Sequence, residues 1–461
     1  MKKKSVVWSL FNFKYGLTIL AGLILTACCG NLNGYIIGAP TVIGSKLTTA
    51  QIDVTTAATG LQPLTGTAKC DVTVVQINYQ TSGVQRGEMT NASAAVLVPS
   101  GVDCPGPFPL IAYGRGTTPF KTHTMANPED PETIRLMAFF AAQGYVVVAT
   151  DYLSYALSSY PYHPYMHADT EASSIIDSIR ATRNAVLSLG LTLNGKVMLT
   201  GYSQGGHASM ATQRAIEQSD AGEIILVAAA HIAGPYSISG ALIDGVKNPI
   251  LGVQALVPFQ ITSWQRIYGN VYDKVADVFN LSGSNSPPLA ANRMISPGDT
   301  PLLAAGSFIS PYDRYIETLF PTLLDQAALY NLLPGGTPAQ ARDAILKSSY
   351  LNDLTNNTSN GAVVAAKKQD LLSWNPKAPT ILCGGLHDPT VKFPINAQAT
   401  YDAFRSRGGS NVSLVDVDAK IQQTYQSVYI NDFQTYNNSY HAQYEPLFCT
   451  QVAKEMFDQY K

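Results

Sequence analysis

The amino-acid sequence predicts an α/β protein with a mostly parallel, doubly wound sheet and a helical insertion. Three observations support this. Short, continuously apolar runs alternate with helix-like segments, which is typical of buried parallel strands covered by helices on both faces. The alternation stops over residues 235–372 and then returns. A glycine-rich turn at residues 201–206 joins one apolar run to the helix-like segment after it.

The expected strands are short, apolar and rich in β-branched residues. They are residues 72–79, 93–98, 108–113, 145–150, 196–200, 224–229, 379–383 and 412–417. Helices are expected at residues 132–143, 170–189 and 396–405, and a further helix begins near His207. The longest of these helices places Ile175, Ile179 and Val186 near one face, as an amphipathic helix requires.

These patterns divide the chain into five segments. The insertion is helix-like and interrupted by prolines, so it is expected to form a lid over the core. The segments are a signal peptide at 1–27, a tether and N-terminal wrap at 28–66, the first part of the core at 67–235, the lid at 236–371 and the second part of the core at 372–461.

The N-terminus has the pattern of an export signal. Three lysines follow Met1, and residues 15–27 are uncharged and largely apolar. This combination is typical of a signal peptide, and the apolar run is short for a permanent membrane helix. The chain is therefore expected to leave the cytoplasm.

Residues 25–28, with the sequence LTAC, resemble the bacterial lipobox. That resemblance implies cleavage before Cys28 and acylation of Cys28, which would anchor the protein to a membrane of the cell envelope. Cys29 follows, where an aspartate would favour the inner membrane, so the outer membrane is a candidate location. Ordinary secretion after cleavage at Ala27 is the alternative.

The charge balance argues against a nucleic-acid partner. The formal net charge is −2 and only 13% of the residues are charged. Nucleic-acid-binding proteins usually present a basic stripe or patch, and this sequence has none.

Four cysteines remain after the N-terminal pair: Cys70, Cys104, Cys383 and Cys449. An exported protein can keep them as disulfides, and four cysteines allow three pairings. Cys70 precedes one expected strand and Cys104 follows the next. If those strands pair antiparallel, the two cysteines meet, which favours Cys70–Cys104 and leaves Cys383 for Cys449.

Ser203 lies in the most informative motif of the chain, the sequence GYSQGG at residues 201–206. The motif follows an apolar run and begins a helix-like stretch, which is the context of a G-x-S-x-G nucleophile elbow. Such a turn holds its serine in a strained conformation, and bulky residues at Gly201 or Gly205 would collide with it. The alternative is an ordinary glycine-rich turn.

With this elbow, the chain resembles an α/β-hydrolase of the secretory lipase or esterase type. The resemblance is carried by residues 201–207, 116–118, 151–152 and 234–236 and by the segments around Asp388 and His441. It covers residues 70–240 and 379–449. Two departures concern the pocket: Arg115 replaces the usual histidine, and residues 151–155 lack the usual glycines.

The resemblance implies a catalytic triad in the chain order Ser, Asp or Glu, His. Ser203 would be the nucleophile. Asp388 would be the acid, because it follows the strand two beyond the elbow strand. Asp416 and Asp418 are rivals, but they lie in or just after the last strand, where local capping or pairing is expected.

His441 would be the base. It is the only one of the seven histidines beyond the last expected strand. His207 lies one turn into the elbow helix and is expected to pack or cap there. His387 adjoins the acid and is expected to point away from it.

An oxyanion intermediate also requires two preorganised N–H donors. The Gln204 amide is expected to supply one, because it lies at the N-terminus of the elbow helix. The glycine-containing loop after residue 113 is expected to supply the other, from Thr117 or, as the next choice, Gly116. Arg115 is expected to fix this loop.

The implied function is hydrolysis of lipid or medium-chain acyl esters by a serine enzyme that needs no metal or organic cofactor. Phe259 and Trp264 in the insertion would line an acyl pocket or, alternatively, form the insertion's own core. A serine peptidase on the same fold and a non-catalytic surface lipoprotein are the competing interpretations. The sequence has no acidic cluster of the kind that peptidases use to bind a substrate amine.

Overall fold

A single sheet organises the protein in the computed structural model, which describes residues 33–118, 121–219, 222–279 and 337–461. The described residues form nine strands in the order β1-β2-β3-β5-β4-β6-β7-β8-β9. Three pairs are antiparallel: β1–β2, β2–β3 and β3–β5. The remaining five pairs are parallel: β5–β4, β4–β6, β6–β7, β7–β8 and β8–β9. The predicted mostly parallel fold is confirmed.

The strands follow the predicted apolar runs, with one addition at the N-terminus. They are β1 Thr41–Leu47, β2 Asp71–Ser82, β3 Met89–Ser100, β4 Phe108–Gly114, β5 Val146–Tyr152, β6 Leu193–Tyr202, β7 Ile225–Ile232, β8 Thr380–Gly384 and β9 Val412–Asp416. Every residue of β4 and β5 is buried, as expected for central parallel strands.

The helices cover both faces of the sheet. They are α1 Thr49–Ala58, α2 Gln62–Thr65, α3 Pro131–Phe139, α4 Ala168–Asn184, α5 Gln204–Gln218, α6 Ile238–Lys247, α7 Val253–Tyr268, α8 Val275–Val278, α9 Pro338–Ile345, α10 Ser348–Asn356, α11 Gly361–Gln369, α12 Ala399–Ser406, α13 Asp418–Thr424, α14 Gln426–Asn431, α15 Phe433–Ser439 and α16 Glu445–Phe457. A π-helical turn, Tyr440–Tyr444, leads into α16.

Two disulfides connect the sheet to its surroundings. β2 and β3 pair antiparallel from Asp71 opposite Ser100, so the cysteines just outside this pair meet as Cys70–Cys104. Cys383 in β8 bonds Cys449 in α16. The structure therefore contains the pairing that the antiparallel strands favoured, and the second disulfide ties the end of β8 to the C-terminal helix.

The segment predicted as a tether and wrap contains regular structure that the sequence did not indicate. Its residues form the edge strand β1, which pairs with β2, and the helices α1 and α2. β1 is largely exposed and carries no continuous apolar run, so its hydrogen bonds to β2 define it. The helices α13 to α15, between β9 and the C-terminal helix, were also not predicted.

Helices α6 to α11 lie between β7 and β8 in the chain, and residues 280–336 of the predicted insertion lie outside the described residues. Phe259 in α7 stacks on Tyr165 with ring centroids 4.3 Å apart. Trp264 is fully buried, and its indole N–H donates to the Met166 carbonyl. α7 is thus packed onto the loop before α4. Among the described helices, none combines the length and apolarity needed to cross a bilayer.

Candidate active site

Ser203 lies between β6 and α5 in a backbone conformation that few non-glycine residues adopt, with φ 57° and ψ −118°. A side chain at either neighbouring glycine would prevent this turn. A Cβ on Gly205 would lie 1.8 Å from the Gly114 carbonyl oxygen, and one on Gly201 would lie 2.1 Å from the Gly205 carbonyl oxygen. The two glycines therefore permit the strained serine.

His441 joins Ser203 to Asp388 by two hydrogen bonds. The His441 Nε2 atom lies 2.9 Å from the Ser203 hydroxyl oxygen, and His441 Nδ1 lies 2.7 Å from Asp388 Oδ2. Because a carboxylate only accepts, Nδ1 carries the proton and Nε2 is free to accept from the serine. The structure thus brings together three residues that are separated by up to 238 positions.

The loops around this trio explain why the rival residues stay apart from it. Asp388 follows β8, and its Oδ1 accepts the amides of Thr390 and Val391 at 2.8 and 3.0 Å. The exposed His387 turns away and bonds Asp418 at 2.8 Å. Asp416 accepts the Leu386 amide and so supports the loop that carries the acid.

The acidic surroundings change the proton affinity of His441. Burial lowers the pKa of His441, but the charge and hydrogen bond of Asp388, together with Glu445, raise that pKa above its usual value of 6.5. Asp388, His441 and Glu445 place potential ligand atoms within 4.8 Å of one another, a spacing that a metal ion could also use. Two of the three, Asp388 and His441, are joined by a hydrogen bond, and Glu445 lies beside them.

The predicted oxyanion donors lie on two different elements. Gln204 is the first residue of α5, so its backbone N–H has no acceptor within the helix. The Gly116 amide donates to Glu132 Oε1 at 3.1 Å, so it is already engaged. Thr117 is the remaining candidate in that loop, and its hydroxyl bonds the Tyr165 hydroxyl at 2.8 Å.

Arg115 and Asp151 hold the loop that carries Thr117. Arg115 is fully buried, donates to the carbonyls of Gly116 and Asp151, and lies 4.1 Å from the Tyr155 ring centroid. Asp151 accepts from the Ser93 hydroxyl at 2.6 Å and from the Met125 amide at 2.7 Å. The buried guanidinium therefore fixes the loop, as the sequence predicted.

A buried polar network, which the sequence did not reveal, fixes the Gln204 side chain. The Gln204 amide nitrogen Nε2 lies 2.8 Å from His163 Nε2 and 2.9 Å from Glu171 Oε1. Glu171 Oε2 lies 2.6 Å from His207 Nδ1, and His207 Nε2 lies 3.0 Å from the Gln369 carbonyl. We refer to His163, Gln204, Glu171 and His207 as the elbow network.

The acceptors around the elbow network determine its protons. His163 Nδ1 faces the Leu153 carbonyl, so it donates there and Nε2 accepts from Gln204. Burial and the Arg115 charge lower the pKa of His163 to about 3, consistent with a neutral ring. His207 Nδ1 faces Glu171 and His207 Nε2 faces the Gln369 carbonyl, so the ring links the network to the C-terminal end of α11.

An apolar cavity opens beside Ser203. It encloses about 900 Å³ of space, open solvent at its mouth included. Its lining is dominated by aliphatic side chains from the segment between β7 and β8, among them Ile238, Leu242, Val246, Ile250, Val253 and Leu346. Phe259 and Trp264 pack behind the Tyr165–Met166 wall instead of lining the cavity with these residues.

A strained serine on a strand–turn–helix, at the carboxyl end of a mostly parallel sheet, defines the α/β-hydrolase class. The model of the secretory lipase family matches residues 128–268. The rice cell wall degrading esterase LipA from Xanthomonas oryzae is 30% identical to this chain, with a TM-score of 0.75 over 93% of this chain and 100% of that one. A putative hydrolase from Legionella pneumophila, 20% identical, has the same fold, with a TM-score of 0.71 over 92% and 98% of the two chains. No curated protein matches the chain.

The chain belongs to the secretory lipase and esterase family of α/β-hydrolases, and it is a carboxylic ester hydrolase. Membership of a secretory family and two disulfides indicate an exported protein. Cys28, the predicted lipidation site, lies outside the described residues.

Proposed function

We propose that the protein hydrolyses lipid or medium-chain acyl esters through a Ser203–His441–Asp388 triad and an acyl-enzyme. The observation that carries this proposal is the continuous hydrogen-bond chain from Asp388 through His441 to the strained Ser203. Each residue has the partner that its role requires.

In the proposed reaction, the Ser203 oxygen attacks the ester carbonyl while its proton moves to His441 Nε2. Asp388 holds the imidazole and stabilises the imidazolium. The Gln204 and Thr117 amides would donate to the oxyanion. His441 then gives its proton to the departing alcohol, and a water molecule repeats the sequence to release the acid and restore the serine.

The aliphatic cavity beside Ser203 supports an acyl chain as the part of the substrate that is bound. The fatty-acyl methylenes would leave water and pack against these side chains, at about 0.8 kcal/mol per buried CH₂ group. We assign the described helices between β7 and β8 to a lid domain over the core, within residues 236–371.

Chain-length selectivity tests this assignment. We expect hydrolysis of p-nitrophenyl esters, from acetate to palmitate, to be fastest at an intermediate length. Leu242→Trp narrows the cavity, so it should lower kcat/KM for the preferred ester roughly tenfold or more while sparing acetate. The exposed Leu187→Trp variant is the matched control. An unchanged length profile in Leu242→Trp would place the acyl chain elsewhere.

The acidic setting of His441 predicts an activity that rises in mildly alkaline solution. The base must be neutral, and its pKa is raised above 6.5, so kcat/KM should fall as the pH decreases through an apparent pKa above 6.5. By the same shift, His441 stabilises the fold fully below pH 6.5 and loses that contribution as the pH rises through its folded pKa. A pH profile centred at or below 6.5 would contradict this.

We propose that a lipid on Cys28 anchors the mature protein to a membrane of the cell envelope. The proposal rests on the lipobox-like residues 25–28 and on the export of the family. Mass spectrometry of the mature N-terminus should find an acylated Cys28, and Cys28→Ala should release the protein from membranes. The adjacent Cys29→Ala variant should stay anchored. An unmodified amine on Cys28 would exclude the anchor.

A further inference from the structure

A second buried carboxylate faces the same imidazole nitrogen as Asp388. Glu445 is the first residue of α16, four positions after His441, and this spacing brings the two side chains together. Its Oε1 accepts the Gly385 amide at 2.5 Å. Its Oε2 lies 3.3 Å from His441 Nδ1 and has no hydrogen-bond partner among the described residues.

The two carboxylates differ in how many donors they receive. Asp388 accepts three hydrogen bonds, from the amides of Thr390 and Val391 and from His441. Among the residues that the structure describes, Glu445 accepts one, from Gly385. Hydrogen bonds to a carboxylate favour its ionised form, so Asp388 is the group that carries the charge.

Asp388 and Glu445 have carboxylate oxygens within 4.8 Å of each other. Two buried carboxylates at this distance cannot both ionise at little cost. Burial, followed by the charge of Asp388, raises the pKa of Glu445 well above its usual range. Within the described part of the chain, the other titratable groups around Glu445 are His441, Tyr440 and Tyr236. Tyr440 donates its hydroxyl proton to Asp418, so that proton is committed elsewhere.

We propose that Glu445 is a second acid of the relay, a positioning residue that stays neutral while Asp388 is ionised and takes over the hydrogen bond to His441 Nδ1 when that charge is lost. The proposal rests on the Ser203–His441–Asp388 function proposed above. When the Asp388 charge is removed, burial alone still opposes ionisation, and the Gly385 amide and the His441 Nδ1–H favour it, so Glu445 releases its proton to solvent. Its Oε2, already 3.3 Å from Nδ1, then needs to move by only a few tenths of an ångström to accept a normal hydrogen bond.

A double-mutant cycle on a p-nitrophenyl ester tests this. Without a relay acid, kcat in a serine hydrolase falls about 10⁴-fold. Because Glu445 substitutes for the missing carboxylate, Asp388→Ala should lower kcat only about 100-fold relative to the wild type. Glu445→Gln keeps an acceptor for the Gly385 amide and should lose about fivefold, and the double variant should lose the full amount, about 10⁴-fold. The combined loss would exceed the product of the single losses about 20-fold.

The pH profile supplies a readout that packing alone would not change. In Asp388→Ala the remaining carboxylate should keep the apparent pKa of the acid limb of kcat/KM above 6.5. In the double variant that apparent pKa should fall to 6.5 or below, because no anion then stabilises the imidazolium. Thermal melting checks that each variant folds. If Asp388→Ala does not fold, Asp388→Ser, which also removes the charge, completes the same cycle.

The outcomes separate this inference from the triad itself. A loss of about 10⁴-fold in Asp388→Ala alone, with no further loss in the double variant, overturns the role of Glu445 and leaves the triad intact. A double variant as active as the wild type overturns both, because Asp388 is then not the acid. Single losses that simply multiply, with identical pH limbs, also overturn the role of Glu445.

Discussion

Ser203→Ala is expected to lower kcat for ester hydrolysis on the order of 10⁶-fold, the cost of removing the nucleophile of a serine hydrolase. The variant removes the atom that lies 2.9 Å from His441 Nε2 and leaves the fold unchanged, since alanine is the smaller residue. His441→Ala should lose a similar factor. The double variant should lose no more than either single variant, because the residues act as one unit.

Steady-state rates on a p-nitrophenyl ester measure this effect. Ser219→Ala, at the other end of α5, is the matched control and should retain wild-type activity, since its hydroxyl donates to the Ile216 carbonyl of its own helix. Substantial activity in Ser203→Ala would mean that another group attacks the ester. Losses that multiply in the double variant would mean that Ser203 and His441 act separately.

Glu171→Gln is expected to impair both stability and catalysis, because it removes the charge at the centre of the elbow network. Glutamine offers one acceptor oxygen where the carboxylate offers two, so either the buried His207 ring or the Gln204 side chain loses its acceptor. A buried polar group left unsatisfied costs about 1–3 kcal/mol in the free energy of unfolding. The network holds the side chain of Gln204, whose backbone N–H is the proposed oxyanion donor. We therefore expect kcat to fall roughly tenfold or more.

Glu217→Gln separates these two effects. Glu217 is a buried carboxylate near the far end of α5, and it accepts the amides of Lys377 and Ala378. This control should lose stability in urea unfolding but keep its kcat. If Glu171→Gln lowers kcat no more than Glu217→Gln does, the elbow network serves folding alone.

The parts of the site that could be predicted are those that a local pattern or a position in the chain order specifies. The elbow at Ser203 is a continuous motif between an apolar strand and a helix. Asp388 and His441 could be predicted because each follows a particular strand, and the structure places both beside the serine. The fold followed from alternating apolar runs, because buried parallel strands require them.

The groups that were missed depend on contacts between distant segments. Glu171 meets His207 across 36 positions, and Glu445 meets the Gly385 amide across 60. Neither contact has a sequence signature. One signal was available: Glu445 is four residues after His441, a spacing that places two side chains on one helical face. β1 was missed because pairing with its neighbour, rather than an apolar run, defines it.

Covalent labelling with a fluorophosphonate, followed by peptide mass spectrometry, tests the assignment of Ser203 most directly. We expect one label per chain, attached to Ser203, with no label in Ser203→Ala and much slower labelling in His441→Ala. Labelling of a different residue, or undiminished labelling of Ser203→Ala, would contradict the assignment of Ser203 as the nucleophile.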